Sequence, residues 1–317
     1  MGRKQATSRK TYPRAVQQKS VARRRNSRWF FWGIAILLVI GPVAVMIFQG
    51  GDGAGRPQPI ALLRTADYHS LMFGADNPDI VFFGHHDGIM RSDDGGKTWR
   101  QLVNRTNFDA MSLAISHNNS QLMYLAGHDI FQVSRDGGIT WTPMQKTLPG
   151  TDIHAFTVSP EDPQRLFVFV YGDGFLRSSD GGLTWEKISS QLPSDIMAIA
   201  TSGGNPEPLY AARMGKGLFP STNGGQNWIP AKGLSSGGIM AIFVDPKTPK
   251  TVYAGGEAGL YKSTDGGDSW IKLDFPGRSI AALAVSPARS GRLMVINVAG
   301  GKGEVYRSED GGVTWGN

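Results

Sequence analysis

The hydrophobic pattern of the chain changes character after residue 48. Residues 29–48 form one uninterrupted apolar run, WFFWGIAILLVIGPVAVMIF, without a charged side chain. Twenty helical residues rise about 30 Å, which matches the hydrocarbon thickness of a bilayer. From residue 59 onward, apolar residues occur in short runs separated by turns rich in Gly, Asp, Asn and Pro, which is typical of β-strands. The pattern therefore predicts one transmembrane helix followed by an all-β domain.

A repeat with a period in the forties organises the β-rich part. Six octapeptides align without gaps, namely SDDGGKTW, SRDGGITW, SSDGGLTW, STNGGQNW, STDGGDSW and SEDGGVTW, and their tryptophans are 42, 44, 43, 42 and 45 residues apart. Such a period in a β-rich sequence is typical of propeller blades. In the third repeat, segments 153–159, 165–171, 175–179 and 184–189 are predicted strands. We therefore predict a six-bladed β-propeller of four-stranded antiparallel blades over 59–317.

The residue types of the octapeptides indicate a structural role. The Asp carboxylate can accept backbone N–H groups within its turn, Gly-Gly supplies positive φ, and the Trp packs between sheets. The residues expected to do this are Asp94, Trp99, Asp136, Trp141, Asp180, Trp185, Asn223, Trp228, Asp265, Trp270, Asp310 and Trp315. The fourth octapeptide has Asn223 for Asp and Asn227 for Thr, so we expect its turn to be the least rigid.

The ends of the repeat array predict how the ring closes. The last repeat stops two residues after Trp315, so the sequence of its outer strand is missing or truncated. Segment 59–64, PIALLR, lies before the first repeat and has no hairpin partner of its own. We predict that this segment takes the outer place in the last blade, because an open sheet edge would invite aggregation.

The octapeptides resemble the Asp-box (BNR) repeat, S-x-D-x-G-x-T-W, of sialidases, xyloglucanase-like glycosidases, sortilin-type receptors and photosystem II assembly propellers. The resemblance covers about 58–317 and implies the propeller fold. Members of those families hydrolyse glycosides, bind peptides or act as chaperones on similar scaffolds, so the fold alone does not define the function. The stretches ADYHSLMF and FFGHHDGI in the first repeat are similar to bacterial glycosyl-hydrolase-like membrane propellers.

The charge distribution predicts the membrane topology. The chain has a formal net charge of +7, yet residues 1–28 hold ten bases and no acid, which leaves 23 bases and 26 acids in the other 289 residues. The positive-inside rule then keeps the N-terminus cytoplasmic and places the propeller outside the cytoplasm, as in a single-pass protein of the cell membrane. A cleaved signal peptide is the alternative, but the apolar core of a signal peptide has only about 7–15 residues and is therefore shorter than the run 29–48. The expected organisation is a basic cytoplasmic tail (1–28), an uncleaved signal-anchor helix (29–48), a flexible linker (49–58) and the propeller (59–317).

Composition also narrows the function classes. Because the positive charge lies in an N-terminal arm and not on the globular part, we expect no nucleic-acid partner. The absence of cysteine excludes disulfides, thiolate metal ligands and a cysteine nucleophile. We expect a monomeric propeller.

Candidate chemistry concentrates on one predicted face. In a propeller, the loops that lead into first strands and the turns between second and third strands share one face, commonly the ligand face. Aligning the repeats puts five functional side chains at one equivalent position: His69, Met111, His154, Met197 and Met240. Two residues earlier, on the same side by strand parity, come Asp67, Asp109, Asp152 and Asp195. The neighbouring turns add His85, His86, His128, Arg213 and Glu257, whereas His117 falls in the opposite turn.

Two interpretations of this face are open. In the first, each Asp caps the turn before its strand, while Met and His fill the channel wall. In the second, a polar, acidic channel mouth binds a cation or a sugar. Imidazole with thioether suits copper, and imidazole with carboxylate suits zinc or another divalent ion. His69 and His86 are the first metal candidates, and no other cofactor is expected.

We therefore expect a binding or assembly-scaffold propeller that takes a protein partner or a glycan ligand. The alternative is an exo-acting glycoside hydrolase, sialidase-like or xyloglucanase-like, with a pair of carboxylates drawn from Asp67, Asp109, Asp152 and Asp195. Aromatic residues for sugar stacking are few on this face, with Tyr68, Phe108 and Tyr171 the main candidates.

Overall fold

The structure, a computed structural model, describes residues 56–144, 147–189, 191–215, 217–234 and 237–316. These residues belong to one compact unit, Ala54–Asn317. The predicted tail, the predicted anchor helix and residues 49–55 of the predicted linker lie outside the described residues. Within the described part of the chain, no helix is both long and apolar enough to cross a membrane.

The described residues form 23 strands, which pair antiparallel in six sheets. The first strand in the chain, β1 (Ala61–Leu63), belongs to the last blade. The strands of the first three blades follow in chain order: β2 (Ser70–Phe73), β3 (Val81–His85), β4 (Gly88–Ser92) and β5 (Arg100–Asn104); β6 (Ser112–Ser116), β7 (Asn119–Gly127), β8 (Ile130–Ser134) and β9 (Thr142–Pro143); β10 (Ile153–Val158), β11 (Leu166–Val170), β12 (Gly174–Ser178) and β13 (Glu186–Ser189).

The second half of the ring repeats this order. Its strands are β14 (Ile196–Thr201), β15 (Leu209–Arg213) and β16 (Leu218–Ser221); β17 (Ile239–Val244), β18 (Val252–Gly256), β19 (Gly259–Ser263) and β20 (Ile271–Lys272); β21 (Ile280–Val285), β22 (Leu293–Ala299) and β23 (Lys302–Ser308). Six sheets in this order make the predicted six-bladed propeller.

The fourth blade differs from the prediction of four strands in every blade. Its described residues form a three-stranded sheet, β14-β15-β16. The backbone N–H groups of Ile229 and Ala231 still donate to Pro220 and Leu218 of the third strand, at 3.1 and 2.8 Å. Pro220 and Pro230 both lack an N–H group. The outer segment therefore follows the blade edge without completing a regular ladder.

The predicted closure of the ring is confirmed. Strand β1 pairs with β23, with Ala61 opposite Val305 and Leu63 opposite Gly303, and it supplies the outer strand of the sheet β1-β23-β22-β21. The Ile60 N–H extends the pairing to the Val305 carbonyl at 2.8 Å. An N-terminal strand thus closes the C-terminal blade and pairs its edge.

Two buried arginines of the last blade reinforce its junction with the first blade. The Arg292 guanidinium donates to the Asp79 carboxylate at 2.7 Å and to the Glu309 carboxylate at 3.0 Å. The Arg307 guanidinium donates to the Gly95 carbonyl in the first box at 2.8 Å. Because Arg292 is buried, its two acidic partners compensate for the contact with water that its charged guanidinium group loses.

Six apolar cores lie between neighbouring blades, and each box tryptophan packs against the core that separates its own blade from the preceding one. Trp99, for example, packs with Phe73 of the first blade and Met294 of the last. The other five pack in the equivalent places: Trp141, Trp185, Trp228, Trp270 and Trp315. This confirms the predicted packing of the Trp between sheets.

The boxes form the predicted self-contained turns. One oxygen of the Asp136 carboxylate accepts the Ile139 and Thr140 N–H groups, and the other accepts the Thr140 hydroxyl at 2.5 Å. These bonds, that from the Thr140 side chain first, lower the pKa of Asp136 to about 2. Gly137 and Gly138 have φ of 73° and 89°, which a glycine adopts without steric cost.

Candidate ligand site at the channel mouth

The position that the repeat alignment singles out is a β-bulge in the last four blades. The register of the first strand shifts at His154, Met197, Met240 and Ala281. A bulge inserts an unpaired residue and changes the direction of its side chain. Met197 and Met240, together with His69 and Met111, line a central cavity of about 110 Å³.

His117 lies at the other end of this cavity, away from the remaining histidines, as predicted. Burial lowers its pKa below the usual value for histidine. The other five histidines lie at the opposite end: His69 precedes β2, His154 is the second residue of β10, His85 ends β3, and His86 and His128 lie in turns between second and third strands. We call this end of the channel the mouth.

Three of the mouth aspartates accept a backbone N–H group from a turn, but that turn lies 19 or 20 residues further along the chain and is not the turn before the first strand that the first interpretation predicted. One oxygen of Asp67 accepts the His86 N–H at 2.8 Å, and one oxygen of Asp195 accepts the Gly215 N–H at 2.9 Å. Asp109 accepts the His128 N–H in the same way, at 3.4 Å. Each bond fixes the carboxylate to the turn between the second and third strands of its own blade. The second oxygen is left for other partners.

Asp67, His69, His86 and Asp109 meet in what we call the first cluster. The His69 Nε2 atom lies 3.2 Å from Asp67 Oδ2 and 3.6 Å from Asp109 Oδ1. The His86 Nδ1 atom lies 3.7 and 3.5 Å from the same two oxygens. The predicted pair of His69 and His86 is therefore brought together, between carboxylates of two neighbouring blades.

His128, Asp152 and His154 form the second cluster. The Asp152 Oδ1 atom lies 3.0 Å from His154 Nε2 and 3.8 Å from His128 Nε2. The two imidazole rings lie edge to face, with their centroids 5.0 Å apart. One ligand atom from each of the three residues falls within 4.8 Å of the others.

Asp109 connects the clusters. Its Oδ2 atom lies 2.5 Å from His128 Nδ1, while its Oδ1 atom faces His69 and His86. The side chain is only 3% exposed, and Oδ1 is buried without a hydrogen-bond donor. A buried carboxylate oxygen in this state is costly unless another group satisfies it.

His85 and Arg213 stand apart from both clusters. His85 is buried, stacks on Phe83 and places its Nε2 atom 3.1 Å from the amide nitrogen of Gln101; burial lowers its pKa. Successive strand residues point to opposite sides, which separates it from His86. Arg213 donates to the Asp195 carboxylate at 2.6 Å.

Asp195 therefore differs from the other three mouth aspartates. Burial opposes its ionisation, but hydrogen bonds from Arg213 and the Gly215 N–H outweigh that effect and lower its pKa. Glu257 is exposed in the turn between β18 and β19, and its N–H donates to the Gly238 carbonyl. The chemistry of the mouth is thus concentrated in the first three blades.

The aromatic candidates for sugar stacking are largely used by the fold. Phe108 is buried between the first two blades, and the Tyr68 hydroxyl donates to the Leu63 carbonyl. Tyr171 alone of the three is well exposed, at 53%, and its ring stacks on His154 with centroids 5.9 Å apart.

Sequence reasoning found the residues of both clusters but missed how they pair. Asp109 and His128 share a repeat, one before the first strand and the other after the second. An Asp before the first strand and a His in the turn after the second strand of the same blade is the sequence pattern that indicates this pairing. The burial of Asp109 and its contacts with two blades depend on how the blades pack.

The architecture defines an Asp-box propeller with a His/Asp channel mouth. The model of the family described as photosynthesis system II assembly factor YCF48 matches residues 65–317, which is nearly the whole propeller. The chain belongs to this family.

Solved structures share the fold at low sequence identity. An enzyme from Niastella koreensis, titled GH74, aligns with a TM-score of 0.60 and 19% identity over 82% of this chain and 46% of that one. A GH74 xyloglucanase from Xanthomonas campestris gives 0.56 and 14% over 81% and 54%, so the chain spans about half of these two proteins. YCF48 bound to D1 peptide gives 0.51 and 20% over 81% and 83%. A search of curated proteins gives no match.

Proposed function

We propose that this protein is a membrane-tethered, extracytoplasmic propeller that binds a segment of a partner protein during the assembly of a membrane complex. Membership of the assembly-factor family across residues 65–317 is the observation that carries this proposal. YCF48, whose fold this chain shares over most of both proteins, has been solved with a D1 peptide bound. The family's peptide-binding member makes a protein segment the best-supported ligand class.

The tether is proposed from the sequence. The apolar run 29–48 is long enough to span a bilayer, and the ten bases before it favour a cytoplasmic N-terminus. A propeller held close to the membrane surface would meet exposed loops and tails of membrane proteins at high effective concentration.

The mouth is the proposed ligand face. It offers half-exposed imidazoles at His86 and His128 and an exposed aromatic ring at Tyr171. A metal or a glycan are the two small ligands that its chemistry suggests. The shortage of exposed stacking rings among the three aromatic candidates favours the metal over the glycan.

Site-specific photocrosslinking in the membranes of the native host tests the partner proposal. A photoreactive residue replaces Tyr171 at the mouth or, as the matched control, Leu183 in the third box at the opposite end of the same blade; both positions are well exposed. We expect a discrete adduct with one membrane protein from position 171 and none from 183. Adducts of equal yield at both positions, or none at 171, would contradict the proposal.

The tether has its own test. The full chain should remain with membranes after an alkaline wash. External protease should digest its propeller in cells from which the wall or outer membrane outside the cell membrane has been removed. A variant without 29–48 should be released by the wash. Protection of the propeller from external protease would reverse the proposed topology.

Glycoside hydrolysis is a second candidate with one observation in its favour. The Asp67 and Asp109 carboxylates both contact the His69 imidazole, at 3.2 and 3.6 Å, so they are near enough to act as a pair. Chromogenic glycosides test it, with Asp67→Asn and Asp109→Asn as variants. Turnover that either change abolishes would favour the enzyme.

A further inference from the structure

We propose that the mouth is a paired divalent-metal centre of the zinc type. The first site is formed by Asp67, His69, His86 and Asp109, and the second by His128, Asp152 and His154. The inference rests on the proposed function only in treating the mouth as the ligand face.

Four of the six spacings between ligand atoms in the first cluster match those around one tetrahedral ion. Zinc lies about 2.0–2.2 Å from nitrogen and oxygen ligands, so ligand atoms at the corners of a tetrahedron are about 3.3–3.6 Å apart. The four distances that join His69 Nε2 and His86 Nδ1 to Asp67 Oδ2 and Asp109 Oδ1 are 3.2, 3.6, 3.7 and 3.5 Å. A single ion between these four atoms needs only small side-chain adjustments.

The buried oxygen of Asp109 is an independent indication of a bound cation. The Asp109 side chain is 97% buried, and Oδ1 accepts no hydrogen bond although it faces two imidazole nitrogens. The fold therefore carries a desolvated anionic oxygen aimed into the cluster. A metal ion would satisfy that oxygen directly.

The remaining atoms of the carboxylates hold the ligands in position. Asp67 Oδ1 is fixed by the His86 N–H at 2.8 Å, which leaves Oδ2 for the metal. Asp109 Oδ2 lies 2.5 Å from His128 Nδ1. A proton on Nδ1 leaves Nε2 of His128 as the ligand atom, which is the carboxylate–histidine–metal arrangement found at many zinc sites. Asp109 thus serves the first site directly and positions a ligand of the second.

The second site has three protein ligands and faces solvent. Asp152 Oδ1 lies 3.0 Å from His154 Nε2 and 3.8 Å from His128 Nε2, and the His128 side chain is 49% exposed. Three protein ligands leave a fourth position for water or an incoming group. A side chain or terminal carboxylate of the partner segment could occupy it.

The donor set selects the class of metal. Imidazole nitrogen with carboxylate oxygen suits zinc and its neighbours in the transition series, whereas calcium and magnesium prefer oxygen alone. The thioethers of Met111, Met197 and Met240 line the channel with His69, so copper is included as a comparison metal in the experiment.

Zinc binding by the purified full chain in detergent tests the proposal. After chelator treatment, calorimetric titration and elemental analysis should give two zinc ions per chain, and cobalt should give the absorption of a tetrahedral site. Asp109→Asn should weaken zinc binding at both sites at least tenfold, and His69→Ala should remove the first site while keeping the second. Asp195→Asn is the matched control, because Asp195 has the same place in the fourth blade but binds Arg213; its zinc affinity should equal that of the wild type.

Several results would overturn the proposal. These are fewer than two zinc ions per chain, zinc affinities that Asp109→Asn leaves unchanged, equal losses in Asp195→Asn, or binding of copper through the methionines in place of zinc. Thermal unfolding in chelator checks that each variant folds, and His86→Gln, at a half-exposed position, replaces any variant that does not. If zinc fails to bind while the adduct at position 171 persists, the metal centre is wrong and the binding module stands. If zinc binds normally but no adduct forms at position 171, the metal centre stands and the proposed binding of a partner protein is wrong.

Discussion

At the end of the propeller that carries the boxes, both oxygens of an Asp such as Asp136 are hydrogen bonded within the eight-residue box. At the mouth, by contrast, Asp109 and Asp152 each keep a buried oxygen without a hydrogen-bond donor. Asp136 in its box is partly exposed, and both of its carboxylate oxygens are paired. Asp109 is almost completely buried and only partly paired. One residue type thus stabilises the framework at one end and offers a ligand at the other, according to where its partners come from.

The difference lies in the distance along the chain. The partners of a box Asp are at most four residues away, so the turn forms wherever the octapeptide occurs. The partners of Asp109 come from two blades, 19 to 40 residues away. The framework, by which we mean the blades and their six boxes, is therefore determined by short local sequences that occur six times. The mouth is determined only once, by the packing of neighbouring blades. Five experiments test this contrast, and the largest effect is expected in the framework.

Deleting 59–64 should destabilise the propeller most. The deletion removes strand β1 and the buried Leu63 side chain, and it exposes the edge of β23. Losses of this kind amount to about 3–5 kcal/mol, or roughly 10 °C in the thermal transition of a domain of this size. Deleting 49–54, which precedes the described residues, is the control of equal length. An unchanged transition after loss of 59–64 would show that the ring does not depend on this strand.

Acid should weaken the framework through all five complete boxes together. The pKa values of Asp94, Asp136, Asp180, Asp265 and Asp310 are lowered to about 2, from 3.8 in the unfolded chain. Since the folded state then binds fewer protons, their contribution is present above pH 3.8 and is lost as the pH falls toward 2. Thermal unfolding measured from pH 5 to 2 should show a steady decrease. A flat profile would mean that the box carboxylates do not stabilise the fold.

Asp94→Ala isolates one box, and the adjacent Asp93→Ala is its control. Asp94 accepts the Ser92 and Thr98 hydroxyls and two backbone N–H groups, whereas Asp93 forms surface ion pairs with Arg91 and Arg100. Loss of a capping side chain costs about 1–2 kcal/mol, and an exposed ion pair usually contributes less than about 1 kcal/mol. The thermal transition of Asp94→Ala should fall by about 3–6 °C and that of Asp93→Ala hardly at all. Equal losses would contradict the structural role of the box.

Restoring the fourth box should raise stability slightly. Asn223 accepts the Asn227 N–H at 2.9 Å and the Ser221 hydroxyl at 3.0 Å, but its amide nitrogen stands where the other boxes have a second carboxylate oxygen. Asn223→Asp with Asn227→Thr should increase the thermal transition by about 1–3 °C. Hydrogen exchange of the fourth turn should slow in the double variant, and unchanged exchange would argue against the prediction that this turn is the least rigid.

The same contrast explains what the sequence could predict. The six blades, the box turns and the closing strand follow from short patterns, and the structure confirms them. The alignment also located the mouth residues, but the distance from Asp109 to His86 depends on how the first two blades pack against each other. The repeat pattern predicts four strands in the fourth blade as well, but Pro220 and Pro230 cannot donate to a ladder, and the described sheet has three strands.

The smallest effect on stability is expected at the mouth, and it is the sharpest test of the contrast. Asp109 and Glu207 have side chains that are each 3% exposed, but both Glu207 oxygens are paired, with Arg165 at 2.8 Å and Thr201 at 2.6 Å. Glu207→Gln breaks a charged hydrogen bond and should cost about 2 kcal/mol, or roughly 5 °C. In chelator, Asp109→Asn removes an unsatisfied buried charge, keeps an oxygen for His128 and should change the transition by less than about 2 °C. If Asp109→Asn lowers the thermal transition as much as Glu207→Gln does, Asp109 stabilises the fold like the box residues. The proposed difference between the two ends of the propeller would then be wrong.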